Sequence, residues 1–588
     1  MGEPVVMYRT FTELMTDRAQ GRAGHPALLL PPENTGAGPD VTVSYRELHD
    51  AACELAGWLQ ERGVHGERVL VMHRSPRQFT VSFLACLYAG AVAVPVPPVE
   101  GHGHQEERVG GILRDAAPCA ALTDARLAPD LSRLLAARGR GSMPCLAADT
   151  VHGRSSWTPP RQDPDAPAYL QYTSGSTGSP RGVVVSHANL LANQQVIRDA
   201  LHTGPDDRIG GWLPLHHDMG LVGQLLHPLW LGGTSVPLAP EWFARRPARW
   251  LEAVSEHGIT VTAAPDFAYD LCVQRVTDEE SAGLDLSGLR VAVSGGEPVR
   301  AGTARAFAER FAPAGLDAEA LTSGYGLAEA TLLVTAAPTG RGRAECTVDP
   351  EWLSCNRLRD PLPGGPARTL VSSGPAPDTV RIVDPETRQA LPDGSIGEIW
   401  VRGPSVAAGY WRDRAETART FAACTADGEP GFLRTGDLGA LRDGRLYVTG
   451  RLKDVIVVAG RNLYPQDLEH TVQRVSSLLG VGTAFSVPGE RERIVVVQEL
   501  RTHHHYDLDL AGLTGNVERR LADEFQVAVG GVLLVRPGTV RRTTSGKVER
   551  ATMRRLFLSG AIEPVHQLLD AELLDPGPLG REECTTAG

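Results

Sequence analysis

Apolar residues in this chain alternate between two periods, and that alternation limits the fold more than any other feature. In YRELHDAACELAGWLQERG, residues 45–63, Leu48, Ala52, Leu55 and Leu59 share one helical face and the run stops at Gly63. Short β-branched runs follow turns, as in GVVVSH, LRVAVSGGEP and IGEIWVRGP. This rhythm predicts an α/β fold with a largely parallel sheet. Closely spaced strands are predicted over 432–460 around an acidic turn at Asp443–Gly444, with a return to strand, helix, strand over 481–538. The most membrane-like stretch is FTVSFLACLYAGAVAVPVPP, 79–98. Gly90, Pro95 and Pro97 punctuate it, so it reads as a buried helix followed by a buried strand, and no stable membrane insertion is expected.

At 588 residues the chain exceeds a single core, and its 42% hydrophobic and 22% charged residues are ordinary for a globular enzyme. A net charge of −12 argues against nucleic acid or an anionic membrane as main partner. Nine cysteines are scattered without a CxxC pair or metal-ligand spacing, which suits a reducing cytoplasm without disulfides. The start, MGEPVVMYRTFTEL, has no basic region followed by an apolar core, so no secretory signal is expected. The histidines in HGHQEE (102–107) and HHH (503–505) lack ligand spacing and read as surface loops, and 575–588 reads as a disordered tail.

The chemistry begins at YTSGSTGSPRG, 172–182, where glycines and hydroxyls lie between two strand-like runs. Glycines let backbone N–H groups turn toward an anion and hydroxyls add donors, so the loop suits a polyphosphate. It lacks the Gly-Lys-Ser/Thr of a Walker loop, and taken alone it could be a flexible linker. A second signal is the rarity of lysine: Lys453 and Lys547 are the only two in a chain with 58 Lys and Arg residues. An ammonium is a compact point charge, whereas a guanidinium is a planar fork, so a lysine kept against the local habit suggests a crowded anionic site.

Five segments in order, YTSGSTGSPRG, SGYGLAEAT (323–331), FLRTGD (432–437), GRLKD (450–454) and TTSGK (543–547), resemble the core motifs of the adenylate-forming superfamily of acyl-CoA synthetases, peptide-synthetase adenylation domains and luciferases. Together they cover nearly the whole chain. GWLPLHHDMGLVG (211–223), PEWFARRPARWL (240–251), PDFAYDLC (265–272) and YGLAEATLL (325–333) are similar to fatty acyl-AMP ligases within it. So is the Gly-, Pro- and Arg-rich segment of about 338–370, which sits where those ligases carry an insertion and which alone would be called a surface loop.

The resemblance implies a large N-terminal α/β domain over 1–450 and a small mobile lid over 451–588. It implies the reaction of ATP with a fatty acid to give acyl-adenylate and pyrophosphate, with Mg²⁺, then transfer to a holo acyl carrier protein. No carrier domain is fused to this chain, since LGGTSVPL (231–238) reads as a turn into a buried strand, so the carrier acts in trans, as in polyketide or lipopeptide assembly. Transfer to coenzyme A is the alternative that the insertion disfavours, and an inactive adenylate-binding module is a remote one.

By the same resemblance Lys547 reaches the substrate carboxylate and α-phosphate, while Glu329 holds Mg²⁺. Thr173, Ser174, Gly175, Ser176, Thr177, Gly178 and Arg181 form the phosphate loop. Gly296, Glu297 and Pro298, with Tyr325, Gly326, Leu327 and Ala328, hold adenine and AMP. Asp437 and Arg451 hold the ribose, Lys453 is the hinge, and His217, Asp218, Met219 and Gly220 line the acyl pocket and thiol entrance, with His217 also a catalytic candidate. Taken singly, Glu329 could be a helix-start acid, Asp437 a turn former and His217 a structural histidine.

Overall fold

The computed structural model describes residues 8–32, 38–99, 103–151, 156–174, 180–341, 343–458, 461–487, 492–504, 506–543, 546–570 and 573. Helix Tyr45–Gln60 begins at a capping box in which Ser44 and Glu47 satisfy each other's backbone N–H groups, and it buries Leu48, Ala52, Leu55 and Leu59 as their spacing predicts. The apolar stretch becomes helix Pro76–Ala89, started by Ser75 and Pro76 and ended by Gly90 at φ +73°, followed by the buried strand Val92–Pro95. No helix among the described residues is long and apolar enough to cross a membrane.

Two sheets fill the large part of the chain. One has eight strands in the order Leu333–Ala336, Leu321–Gly326, Val291–Gly295, Val261–Ala264, Arg208–Gly211, Thr234–Pro237, Pro26–Leu30 and Val41–Ser44. It is parallel except at its two edges. The other has six strands, Cys145–Ala147, Ala120–Thr123, Arg68–Met72, Val92–Pro95, Pro167–Ser174 and Pro180–Ser186, parallel except for the last pair. That antiparallel pair flanks the expected phosphate loop and sets Thr173 opposite Arg181. The expected α/β architecture with parallel strands is therefore present.

The closely spaced strands around Asp443 form an antiparallel sheet of Val380–Val383, Gly397–Val401, Leu433–Arg442 and Arg445–Arg451. Asp443 and Gly444 both have positive φ, as a two-residue hairpin turn requires. After the short turn Leu452–Asp454, the C-terminal unit forms its own sheet of Leu479–Val487, Arg493–Leu500, Val529–Val535 and His566–Leu569. Helices Pro465–Gln473, Leu510–Phe525 and Arg550–Leu558 accompany it, and Leu468, Val472, Val496, Val517 and Leu534 belong to its core.

The segment of about 338–370 is ordered where described. Strands Glu345–Val348 and Arg368–Val371 pair, and helix Pro350–Ser354 lies between them. Val348, Leu353 and Leu370 bury against Leu438 and Tyr447 together with Tyr464 of the C-terminal unit. Arg368 also pairs with Asp467 at 2.5 Å, and Asn462 donates to Asn356 at 2.9 Å. The tail 575–588 lies outside the described residues.

Candidate active site

A cleft of about 2330 Å³ is lined by the ends of the strands Val261–Ala264, Val291–Gly295 and Leu321–Gly326 and by the loop before Arg550. The carboxyl ends of parallel strands are where such sheets bind ligands, because turns there leave backbone groups free. Gly296, at φ +77°, begins the turn after Val291–Gly295; a Cβ there would sit 3.0 Å from Met219 Sδ and 3.3 Å from Lys547 Nζ. The turn bearing Lys547 is closed internally: Thr543 N–H donates to Lys547 O at 2.7 Å, and Lys547 N–H to Thr543 Oγ1 at 3.1 Å. Burial pushes the Lys547 ammonium below its ordinary value, and Asp218 is the strongest opposing charge.

Asp218 is itself anchored. Its Oδ1 accepts from Met219 N–H at 2.7 Å and lies 2.6 Å from His217 Nδ1. Burial alone would raise the Asp218 carboxyl, but His217 and Lys547 bring it down to about 2. His217, Asp218 and Met219 line the cleft. A Cβ at Gly220 would lie 2.2 Å from Pro214 O, so the glycine lets the chain pass close to that backbone.

In the cleft wall Asp437 receives two hydrogen bonds, from Tyr325 Oη at 2.9 Å and from Arg451 Nε at 2.9 Å. The turn before it is braced by Glu398, which accepts from Gly436 N–H at 3.1 Å, Trp400 Nε1 at 2.9 Å and Arg434 Nε at 2.9 Å. Glu297 and Pro298 line the cleft beside Gly296, as do Gly326, Leu327 and Ala328 after Tyr325. Lys453 lies in the exposed turn Leu452–Asp454 at the cleft edge.

Glu329 and Arg181 line the same cleft, with Glu329 within electrostatic reach of Arg451 and Asp437. Burial raises the Glu329 carboxyl, and Tyr410 Oη donates to it at 2.9 Å. Arg181 pairs with Glu416 at 2.9 Å and lies 5.5 Å from the Tyr410 ring centre. Thr173 lines the cleft nearby. Gly175, Ser176, Thr177 and Gly178, and the side chain of Ser174, lie outside the described residues. Among the described residues there is no group of three or more His, Cys, Asp or Glu side chains able to hold a metal ion.

Two parts of the site were not anticipated from the sequence. Tyr410 and Glu416 sit in GYWRDRAETARTF, where no spacing marks them as partners of Glu329 and Arg181. Phe267 is the other: its N–H donates to Glu297 Oε1 at 2.6 Å, and its ring meets Trp212 and Phe243, themselves stacked at 4.0 Å. Beyond these aromatics the lining turns apolar at Ile197, Leu201, Ile209, Val261 and Leu333.

The model of the AMP-binding enzyme family matches residues 15–411. The chain belongs to that family. This AMP-binding enzyme is 39% identical over 540 residues to the medium-chain fatty acid acyl-carrier-protein ligase JamA of Moorena producens, covering 89% of this chain and 91% of the relative. It is 37% identical over 567 residues to the long-chain fatty acid AMP ligase FadD26 of Mycobacterium marinum, covering 92% and 96%. The fatty acid AMP ligase from Legionella pneumophila has a similar structure, with a TM-score of 0.75 at 33% identity, covering 96% of this chain and 98% of that one. A fatty acyl-adenylate ligase structure from a study of the Escherichia coli and L. pneumophila enzymes gives 0.86 at 30% identity, covering 94% and 98%. The resemblance read from the motifs is borne out: the AMP-binding enzyme is similar, over nearly its whole length, to fatty acyl-AMP ligases.

Proposed function

We propose that this AMP-binding enzyme activates a fatty acid with ATP to an acyl-adenylate, releasing pyrophosphate, and passes the acyl group to the phosphopantetheine thiol of a separate holo acyl carrier protein. The observation that carries the reading is the position of Lys547, against Gly296 and Met219 and facing the carboxylates of Asp218, Glu297 and Asp437 in one cleft. A cation stripped of water and set among converging anions is what adenylation needs, because charge spreads over the α-phosphate as the carboxylate attacks.

In the first step a carboxylate oxygen of the fatty acid bonds to the α-phosphorus and the bond to the β-phosphate oxygen breaks, so pyrophosphate leaves. Lys547 neutralises both anions, and its compact ammonium fits where a guanidinium fork would crowd them. Asp437 holds the ribose hydroxyls, exchanging its Tyr325 and Arg451 contacts for them, while Glu297, Pro298, Gly326, Leu327 and Ala328 bound the nucleotide. Thr173 and Arg181 meet the phosphates, and the apolar branch from Ile197 to Leu333 takes the acyl chain. A single part-buried carboxylate held by one tyrosine suits Mg²⁺, which takes few protein ligands beside phosphate oxygens and water. Glu329 is that ligand, and Mg²⁺ bound there with ATP would neutralise phosphate charge.

In the second step the carrier thiol, having lost its proton, bonds to the acyl carbon and AMP leaves with the former carboxylate oxygen. Residues 451–588 are the lid, turning about Lys453 between the steps, and His217 lines the thiol's approach. The pairs Arg368–Asp467 and Asn356–Asn462 tie the inserted segment to the lid. A lid rotation between the steps must break them. The described cysteines are free thiols, which fits a cytoplasmic location.

The test is intact-mass analysis of one reaction holding ATP, Mg²⁺, mixed medium and long fatty acids, coenzyme A and a holo carrier protein. Acyl-AMP and acyl-carrier without acyl-CoA is the expected result. Abundant acyl-CoA would reassign the acceptor, and no pyrophosphate release would overturn adenylation itself.

A further inference from the structure

Beside Arg181 the cleft contains a carboxylate for which the two steps above have no use. Glu416 lies on helix Arg414–Phe421, and its Oε1 accepts from Arg181 Nη1 at 2.9 Å. Both side chains are largely buried, 20% and 13% exposed. The cation that should meet the polyphosphate is therefore already neutralised by the protein. A phosphate oxygen and Glu416 compete for one guanidinium, so every contact that ATP or pyrophosphate makes there must first loosen an ion pair.

We propose that Glu416 is a displaceable counter-ion that holds Arg181 back, weakening polyphosphate binding and easing the release of pyrophosphate. The proposal rests on the adenylation reading above. Its physical basis is that the exchange strands no charge. A carboxylate left alone at this burial would be strongly unfavourable, as a broken buried pair is. Glu416 avoids that cost because Arg419 on the same helix also pairs with it, and Thr420 Oγ1 lies 3.4 Å from Oε1. Arg181 likewise keeps a resting place over the Tyr410 ring, whose hydroxyl leads on to Glu329. Both partners can separate and remain satisfied, as a switching contact requires.

Arg181 freed of Glu416 would bind substrate and product phosphates alike, and uniform binding of this kind lowers KM without speeding the chemical step. Glu416→Gln keeps the shape and removes the charge. In fatty acid-dependent adenylation by the full chain, we expect the KM for ATP and the inhibition constant of inorganic pyrophosphate both to fall about fivefold, which is about 1 kcal/mol at about 1.4 kcal/mol per decade. An unchanged or raised KM for ATP overturns the proposal. The control is Arg181→Gln, which weakens ATP binding. Adding Glu416→Gln to that variant should give no further change, and a persisting fivefold fall would show that Glu416 acts through something other than Arg181. Should Glu416→Gln fail to fold, Glu416→Asp lengthens the pair and is expected to give about a twofold fall, with no fall again refuting the idea. A wild-type enzyme that forms no acyl-adenylate would instead sink the functional reading, before any variant is made.

Discussion

Gly546→Ala should separate the two half-reactions. Gly546 stands at φ +87°, and a Cβ there would lie 2.7 Å from Phe267 Cζ and 2.8 Å from Cε1. Two costs follow, and they fall on different states. The left-handed backbone costs about 1–2 kcal/mol for a residue with a Cβ, and that strain is present wherever the turn keeps its shape, so it lowers lid stability without favouring either lid position. In the proposed lid motion the overlap with Phe267 exists only while residues 451–588 lie over the cleft, because Phe267 belongs to the helix Asp266–Arg275 of the large part. Its ring is hemmed in by Trp212 and Phe243, so it relieves the overlap poorly. Overpacking of this kind costs about 1–3 kcal/mol, and a central value of about 2 lowers adenylation about 30-fold. Pyrophosphate release from ATP and fatty acid measures the first step, and acyl-carrier formation from supplied acyl-AMP measures the second. The first should fall about 30-fold and the second by less than about threefold. Phe267→Ala in the same chain should restore most of the loss. Equal losses in both steps, or no rescue by Phe267→Ala, would refute the assignment of Phe267 as the surface on which the lid closes.

Lys547→Ala should lower pyrophosphate release about 10²–10³-fold, the worth of one charge-stabilising group, and leave transfer from supplied acyl-AMP nearly intact; comparable loss in both steps would remove Lys547 from its role. Asp437→Asn should raise the KM for ATP about tenfold with a smaller effect on kcat, since it weakens ribose binding and leaves Arg451 without its counter-charge. Asp266 tests electrostatics away from the chemistry: burial, with Glu297 nearby and Arg300 opposing, pushes its carboxyl up to about 7. The folded state then keeps a proton that the unfolded chain loses near pH 4, so stability falls as pH rises from about 4 to about 7. Thermal melts of Asp266→Asn should show a shallower decline across that window than wild type, and parallel curves would contradict the shift.

Local order was legible in the sequence because its causes are local. The capping box of Ser44 and Glu47, the stop at Gly90 and the turn at Asp443–Gly444 each depend on residues a few positions apart, and the helical face of Tyr45–Gln60 on a period of 3.6. The motif residues Asp437, Glu329 and Lys547 stood out by wording, and in Lys547 by the rarity of its residue type. Their pairings did not. Tyr325 meets Asp437 across 112 positions, Tyr410 meets Glu329 across 81, and Arg181 meets Glu416 across 235. No periodicity or turn rule links residues so far apart, because the pairing depends on how whole sheets and helices stack. The same distance hid the seat of Gly546 on Phe267. By itself the sequence determined which groups carry charge and which segments become helix or strand. Only the tertiary structure decided which charges face one another, since that depends on long-range packing and on the water it excludes.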